Sequence, residues 1–193
     1  MYTYNGDVPT FDTFNFINPF IKSQYNARYI VNDPWNSELI WGNSSPVDNW
    51  WRVQAGALMK NPSASSGEAA WQWVAPTMRM AELYYTKNGL PIDQDVNFDY
   101  NNRYEVTPVA FIQRYVAQYG QSTATLNLER EPRFYASLAF DRGISRSWGE
   151  LWNLKMRKGE AHGRNANTSD YLTTGYGLKK LVHPDSEGDT YSK

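Results

Sequence analysis

Four charged residues crowd around a proline in LEREPRFYASLAFDRG, residues 128–143, and an Asp-Arg pair closes the same stretch. Glycoside hydrolysis needs two carboxyl groups across the scissile bond, one as acid and one as base or nucleophile. Glu129, Glu131, Asp141 and Glu150 are the available candidates. Their order in the chain does not bring any two of them face to face. The other reading of the stretch is architectural. Arg130, Glu131 and Arg133 then fix the corner where the chain enters a strand, and Asp141 and Arg142 fix its exit.

The remaining groups that could carry chemistry are few. His162 in AHGRN and His183 in VHPDS are the ordinary neutral-pH bases, yet no HExxH pattern or nucleophile elbow accompanies them. Both read as turn or surface histidines, His183 with Asp185 beside it. DQDVNFDYNN sets Asp93, Asp95, Asn97 and Asp99 at alternate positions, like the front of a calcium-binding EF-hand loop. Phe98 and Tyr104 stand where that loop needs Gly and Glu, so a solvated polar loop is expected instead. With no cysteine there is neither a thiolate metal site nor a disulfide. The GYG of residues 175–177 is too short to cradle a phosphate. No catalytic residue, metal ligand or cofactor is therefore assigned.

Binding is better represented than catalysis. Eight Trp, 14 Tyr and 8 Phe make 16% of the chain aromatic, roughly double an ordinary globular domain. Most such rings are expected in the core. Those in polar loops suit ligands with apolar faces and hydroxyl rims, which describes sugars. The loop SSPVDNWWRV offers Trp50 and Trp51 with Asp48, Asn49 and Arg52, and GISRSWGE offers Trp148. These six are the candidate ligand-binding residues. A formal charge of −1, with basic and acidic residues intermixed, gives no basic patch for nucleic acid. No apolar run approaches the ~18 residues of a membrane span.

The elements that position these groups are short. Residues 1–34 show little sustained period, and Pro19 interrupts FDTFNFINPF. NSELIWGNSS reads as a strand ending at Gly42. PTMRMAELYYTKNG predicts a helix capped by Thr77 and closed by Gly89, with Met78, Ala81 and Tyr85 on one face. TPVAFIQRYVAQYG predicts a second helix from Thr107 to Gly120, with Phe111, Tyr115 and Tyr119 along one side. After Pro132, alternation of Phe134, Ala136, Leu138 and Phe140 against Arg133, Tyr135, Ser137 and Ala139 predicts a half-buried strand. LWNLKMRKG is expected to pair with it, and TGYGLKKLVHPDS to supply a third strand. The result is an α+β, loop-rich fold of a few helices and short antiparallel strands or hairpins.

Three segments in this order, APTMRMAELYYTKNGLPID, LEREPRFYASLAFDRG and TTGYGLKKLVHPDS, resemble the RagB/SusD family of nutrient-binding lipoproteins of Bacteroidota. NDPWNSELIWGNSS is similar to the strand preceding them. The likeness spans residues 33–186, and residues 1–193 are read as a single SusD-like domain or fragment. It implies non-catalytic capture of an oligosaccharide or polysaccharide such as starch at the cell surface, in polysaccharide utilization. The ligand would pass to a SusC-like TonB-dependent transporter in the outer membrane. Family members begin with a signal peptide and lipidated Cys and carry flanking tetratricopeptide-like helices, none of which is readable here. The chain is thus expected to be the middle portion of a larger protein, its lipid anchor belonging to the parent. It is also expected to expose apolar residues such as Met78, Leu83 and Phe111 where those helices dock. The alternatives are a glycoside hydrolase-type enzyme and a structural segment that only docks the transporter.

Overall fold

A computed structural model of the chain describes residues 17–32, 37–38, 40, 74–147, 150–164 and 171–180. Helix α1, Ile17–Tyr29, opens these residues. Pro19 falls in its first turn, where a missing N–H costs nothing, so it does not stop the helix. Ile21, Gln24, Arg28 and Tyr29 are all buried. That stripe has helical spacing but is half polar, which hides it from a search for apolar period.

Helix α2, Met78–Leu83, begins as the sequence predicts, with the Thr77 hydroxyl accepting the Met80 N–H at 3.2 Å. It ends six residues later, earlier than Gly89 would place it. Tyr84 is already extended. Gly89 has φ +75° and instead closes a tight turn, its N–H on the Thr86 carbonyl.

The second expected helix, Thr107 to Gly120, does not form. Strand β1, Val106–Pro108, pairs antiparallel with β2, Ser122–Ala124, in the register Thr107↔Thr123. Between them only a 3₁₀ turn, Phe111–Gln113, is helical. The Val109 N–H donates to the Gln121 carbonyl, and the Gln113 side chain accepts the Ala110 N–H. The Gln118 N–H, which a helix would direct to Arg114, donates instead to the Arg142 carbonyl.

The stretch after Pro132 is also corrected. Residues Pro132–Ser137 form helix α3, with Pro in the first turn, and only Leu138–Phe140 form strand β3. Phe134, Tyr135, Ala136, Leu138, Ala139 and Phe140 are all buried, so both sides of the alternation face protein. β3 pairs with β6, Tyr176–Leu178, in the register Ala139↔Gly177. The expected partner, β5 (Glu150–Asn153), pairs with β4 (Ile144–Ser147) instead. Only two residues separate β4 from β5 in the chain, and this shorter connection wins. The described architecture is therefore α+β and loop-rich, three small helices and three two-stranded antiparallel ribbons.

The core gathers Phe98, Val116, Leu126, Phe134, Tyr135, Phe140 and Tyr176. Phe134 stands edge-on to Tyr84 and Tyr135, at 5.7 and 5.2 Å, and Phe20 of α1 meets Tyr135 at 5.9 Å. Met78, Leu83 and Phe111 remain outside it, 43%, 59% and 57% exposed. That matches the expectation of an uncovered apolar face. The strand expected over residues 36–45 lies almost wholly outside the described residues.

Candidate functional site

The charged corner is built around Arg130, which is fully buried. Its guanidinium donates to the carbonyls of Leu126, Ala81 and Tyr84 at 2.6–2.7 Å and to that of Tyr85 at 3.3 Å. It also lies 4.6 Å from the Phe134 ring centre. Desolvation lowers its pKa to about 10, still far above neutrality. Glu131 accepts the Tyr85 N–H at 2.9 Å and Arg133 Nε at 2.7 Å. The architectural reading of this corner holds.

The exit is fixed in the same manner. Asp141 accepts the Met156 N–H at 3.0 Å and Arg157 Nε at 2.8 Å. Arg142, with φ +67°, makes a bidentate pair with Glu160 at 2.5 and 3.0 Å. Glu160 is placed by a tight turn in which Gly163 is required. A Cβ there would lie 2.1 Å from the Arg157 carbonyl oxygen.

The carboxylates considered for hydrolysis are thus separately engaged. Glu129 pairs with Lys87 and accepts Gln113 Nε2, Glu131 holds Arg133, and Asp141 holds Arg157. The Glu150 side chain lies outside what is described. Glu82 receives Tyr104 Oη at 2.6 Å and Arg103 Nε at 2.8 Å, which hold its pKa down to about 2. Asp95 and Glu160 are also shifted down. For Asp95 the chief cause is the Thr86 hydroxyl; for Glu160 burial opposes the shift, but Arg142 and the Arg157 N–H outweigh it. A glycosidase acid is held in the opposite direction.

His162 is buried and structural, its Nδ1 accepting the Lys155 N–H while its backbone N–H donates to the Lys155 carbonyl. His183 lies outside the described residues. In the EF-hand-like run, Asp95 turns inward to the Thr86 hydroxyl, Asn88 and the Asn97 N–H, whereas Asp99 caps Asn102. Among the described residues no group of three or more His, Cys, Asp or Glu is arranged to hold a metal.

A cleft of about 270 Å³ opens where α2, the β1–β2 hairpin and the turn before β6 meet. Met78, Tyr104 and Val106 form its exposed apolar wall. Arg157 and Asp141 stand at its polar end, and Arg157 also donates to the Ser122 carbonyl. At the floor, Asn127 Nδ2 donates to the Thr123 hydroxyl at 2.9 Å, and its Oδ1 accepts Tyr176 Oη at 2.7 Å. The Tyr104 ring is held by its bond to Glu82 and by Arg103, whose guanidinium lies 4.3 Å from the ring centre. An apolar wall facing fixed polar groups can stack on one face of a small polyol and hydrogen-bond its rim.

Trp50, Trp51, Asp48, Asn49, Arg52 and Trp148 lie outside the described residues. The cleft residues escaped the sequence reading because they come from six separate segments. The nearest local signal is YNNRY, where Arg103 lies against the rings of both Tyr100 and Tyr104.

Comparison with known proteins bears on the whole chain. Residues 37–193 match the model of the SusD family. Two solved structures of the Bacteroides protein BT4246, one with selenomethionine, superpose with a TM-score of 0.70 at 30% identity. Each alignment covers 94% of this chain but only 30–31% of the other, so this chain spans under a third of their length. None of the curated proteins compared is a significant match.

Proposed function

The chain belongs to the SusD family, and on that premise we propose that it serves non-catalytic binding of oligosaccharide or glycan at the bacterial cell surface. The bound glycan is delivered to a SusC-like TonB-dependent transporter in the outer membrane, to which the parent protein is lipid-anchored. The family match over residues 37–193 carries this reading. Three features of the chain support it. The cleft beside Tyr104 offers one aromatic face and a polar rim. The shifted carboxylates are all held low, which disfavours a hydrolytic acid among them. Met78, Leu83 and Phe111 are exposed, as a face docking against the transporter or the rest of a longer protein would require.

Trp50 and Trp51, with Asp48, Asn49 and Arg52, and Trp148 are proposed as further ligand contacts. Among the described residues no helix is long and apolar enough to cross a membrane.

Calorimetry against a panel of polysaccharides, run beside a reducing-end assay, tests the proposal. Binding without turnover is expected. Tyr104→Ala should weaken it about tenfold, the scale of one lost aromatic contact, and Tyr104→Phe much less. Trp50→Ala or Trp51→Ala should also weaken it. Release of reducing ends by the purified chain would overturn the proposal.

A further inference from the structure

A second cleft lies on the other side of the core, between α1 and β4. Its walls are Ile21, Gln24 and Arg28 of α1, Tyr115, Ile144 and Lys179. The backbone places Lys179 firmly, since its N–H donates to the Ser137 carbonyl at the end of α3. Its Nζ donates once, to the Ile144 carbonyl at 2.9 Å. An ammonium carries three donors, so two remain. Gln24 is 9% exposed, and its Nε2 has no hydrogen-bond partner. A buried amide left in that state costs about 1–3 kcal/mol, and an acceptor bound beside it recovers that cost. The cavity between these groups is about 40 Å³, room for a few waters or one carboxylate group.

Arg28 and Tyr25 face the cleft from α1, Tyr115 from the loop after the 3₁₀ turn, Tyr135 from α3 and Ser145 from β4. None of these is an acid. Desolvation, then repulsion by Arg28, lowers the Lys179 pKa to about 7. The cleft therefore offers donors from Lys179 and Gln24, and none of its described lining residues is acidic.

We propose that this cleft is a binding site for a single carboxylate group, held by Lys179 Nζ and Gln24 Nε2. A planar carboxylate has two oxygens, one for each donor, and one negative charge to answer the ammonium. Ile21 and Ile144 limit water around the pair, which strengthens both bonds. The site stands independently of the glycan-binding reading. The carboxylate comes either from an acidic sugar, whose ring would rest at the mouth beside Tyr25 and Tyr115, or from a small free acid.

Titration of the 193-residue chain at pH 6 with acetate and with glucuronate, at matched ionic strength and against glucose, tests this. Saturable binding of both acids at one site, and none of glucose there, is expected. Affinity should fall about 30-fold between pH 6 and pH 8.5 as the lysine loses its proton. Gln24→Leu and Lys179→Met should each weaken acetate at least tenfold. Because Lys179→Met alters a half-buried position, the lysine Nζ resonance of the unaltered chain is followed as well, and acetate should raise its titration midpoint. Glucuronate tighter than acetate identifies an acidic sugar as the source; equal affinity identifies the free acid. Absence of saturable acetate binding at pH 6, or an unmoved lysine midpoint, overturns the proposal.

Discussion

Arg130 is a fully buried cation and Lys179 a half-buried one, and they differ in how completely their surroundings answer them. Arg130 spends its fork on the carbonyls of Ala81, Tyr84, Tyr85 and Leu126, and its cation lies over Phe134. Lys179 has the Ile144 carbonyl and the repulsion of Arg28. Arg130 remains a cation, at a pKa of about 10, while Lys179 is brought down to about 7. A buried charge with four of its five donors used joins segments of the fold. One with donors to spare marks a place that a ligand can fill.

The largest way to break this contrast is to remove the hub. Arg130→Met keeps the volume and apolar stem but strips donors from four carbonyls on two segments, residues 81–85 and the 126–130 turn. A loss of about 3 kcal/mol or more is expected, from several acceptors left unsatisfied together. Urea denaturation at pH 7 measures it. A loss below about 1 kcal/mol would mean that water satisfies those carbonyls and that the corner does not depend on Arg130.

The legibility of the sequence follows the same division. The architectural role of Arg130, Glu131 and Arg133 was readable because they crowd around Pro132, whereas the side-chain partners of Asp141 and Arg142, Arg157 and Glu160, lie 16 and 18 residues away. The Thr77 cap was readable because capping is local. The helix expected over Thr107–Gly120 was not, because Thr107 pairs with Thr123 of β2 and the Gln118 N–H goes to the Arg142 carbonyl, contacts that no local propensity records. The strand expected after Pro132 failed for another reason. Period-2 alternation signals a strand only when one face meets water, and here Phe134, Tyr135, Ala136 and Ala139 are all buried. Neither cleft was visible. The one beside Tyr104 draws on residues from 78 to 176, and the one at Lys179 depends on Gln24 and Arg28 lying on the inner face of α1.

Replacing the lysine should have the opposite sign to replacing the arginine. The folded pKa of Lys179, about 7, lies below its ordinary 10.5. Between those values the unfolded chain holds a proton that the native state has released, so stability rises with pH across that window. Below pH 7 the native state carries the full cost of a poorly answered charge. Lys179→Met removes that cost, and the variant should be more stable at pH 6 by about 1–3 kcal/mol. The gap should close toward pH 10. Parallel urea curves at pH 6 and pH 9.5 check both halves. A variant less stable than the parent at pH 6 would show that the ammonium is answered after all.

Glu82 gives the smallest effect and extends the comparison to a charge of the other sign. Tyr104, Arg103 and Arg79 all donate to it, at 2.6, 2.8 and 3.3 Å, so it resembles Arg130 in being answered and Lys179 in lying beside a cleft. Its folded pKa is held down to about 2 from 4.5. Its contribution is therefore present above pH 4.5 and is lost as the pH falls from 4.5 to 2. Solvent near Arg79 screens part of it, leaving about 1 kcal/mol. Glu82→Gln should cost that amount at pH 7 and almost nothing near pH 2.5, measured by urea denaturation at the two values. Because Glu82 also holds the Tyr104 hydroxyl, the substitution should loosen the ring that faces the cleft and weaken glycan binding at pH 7. An unchanged affinity alongside the lost stability would separate the two roles, leaving Glu82 to the fold and Tyr104 positioned by Arg103.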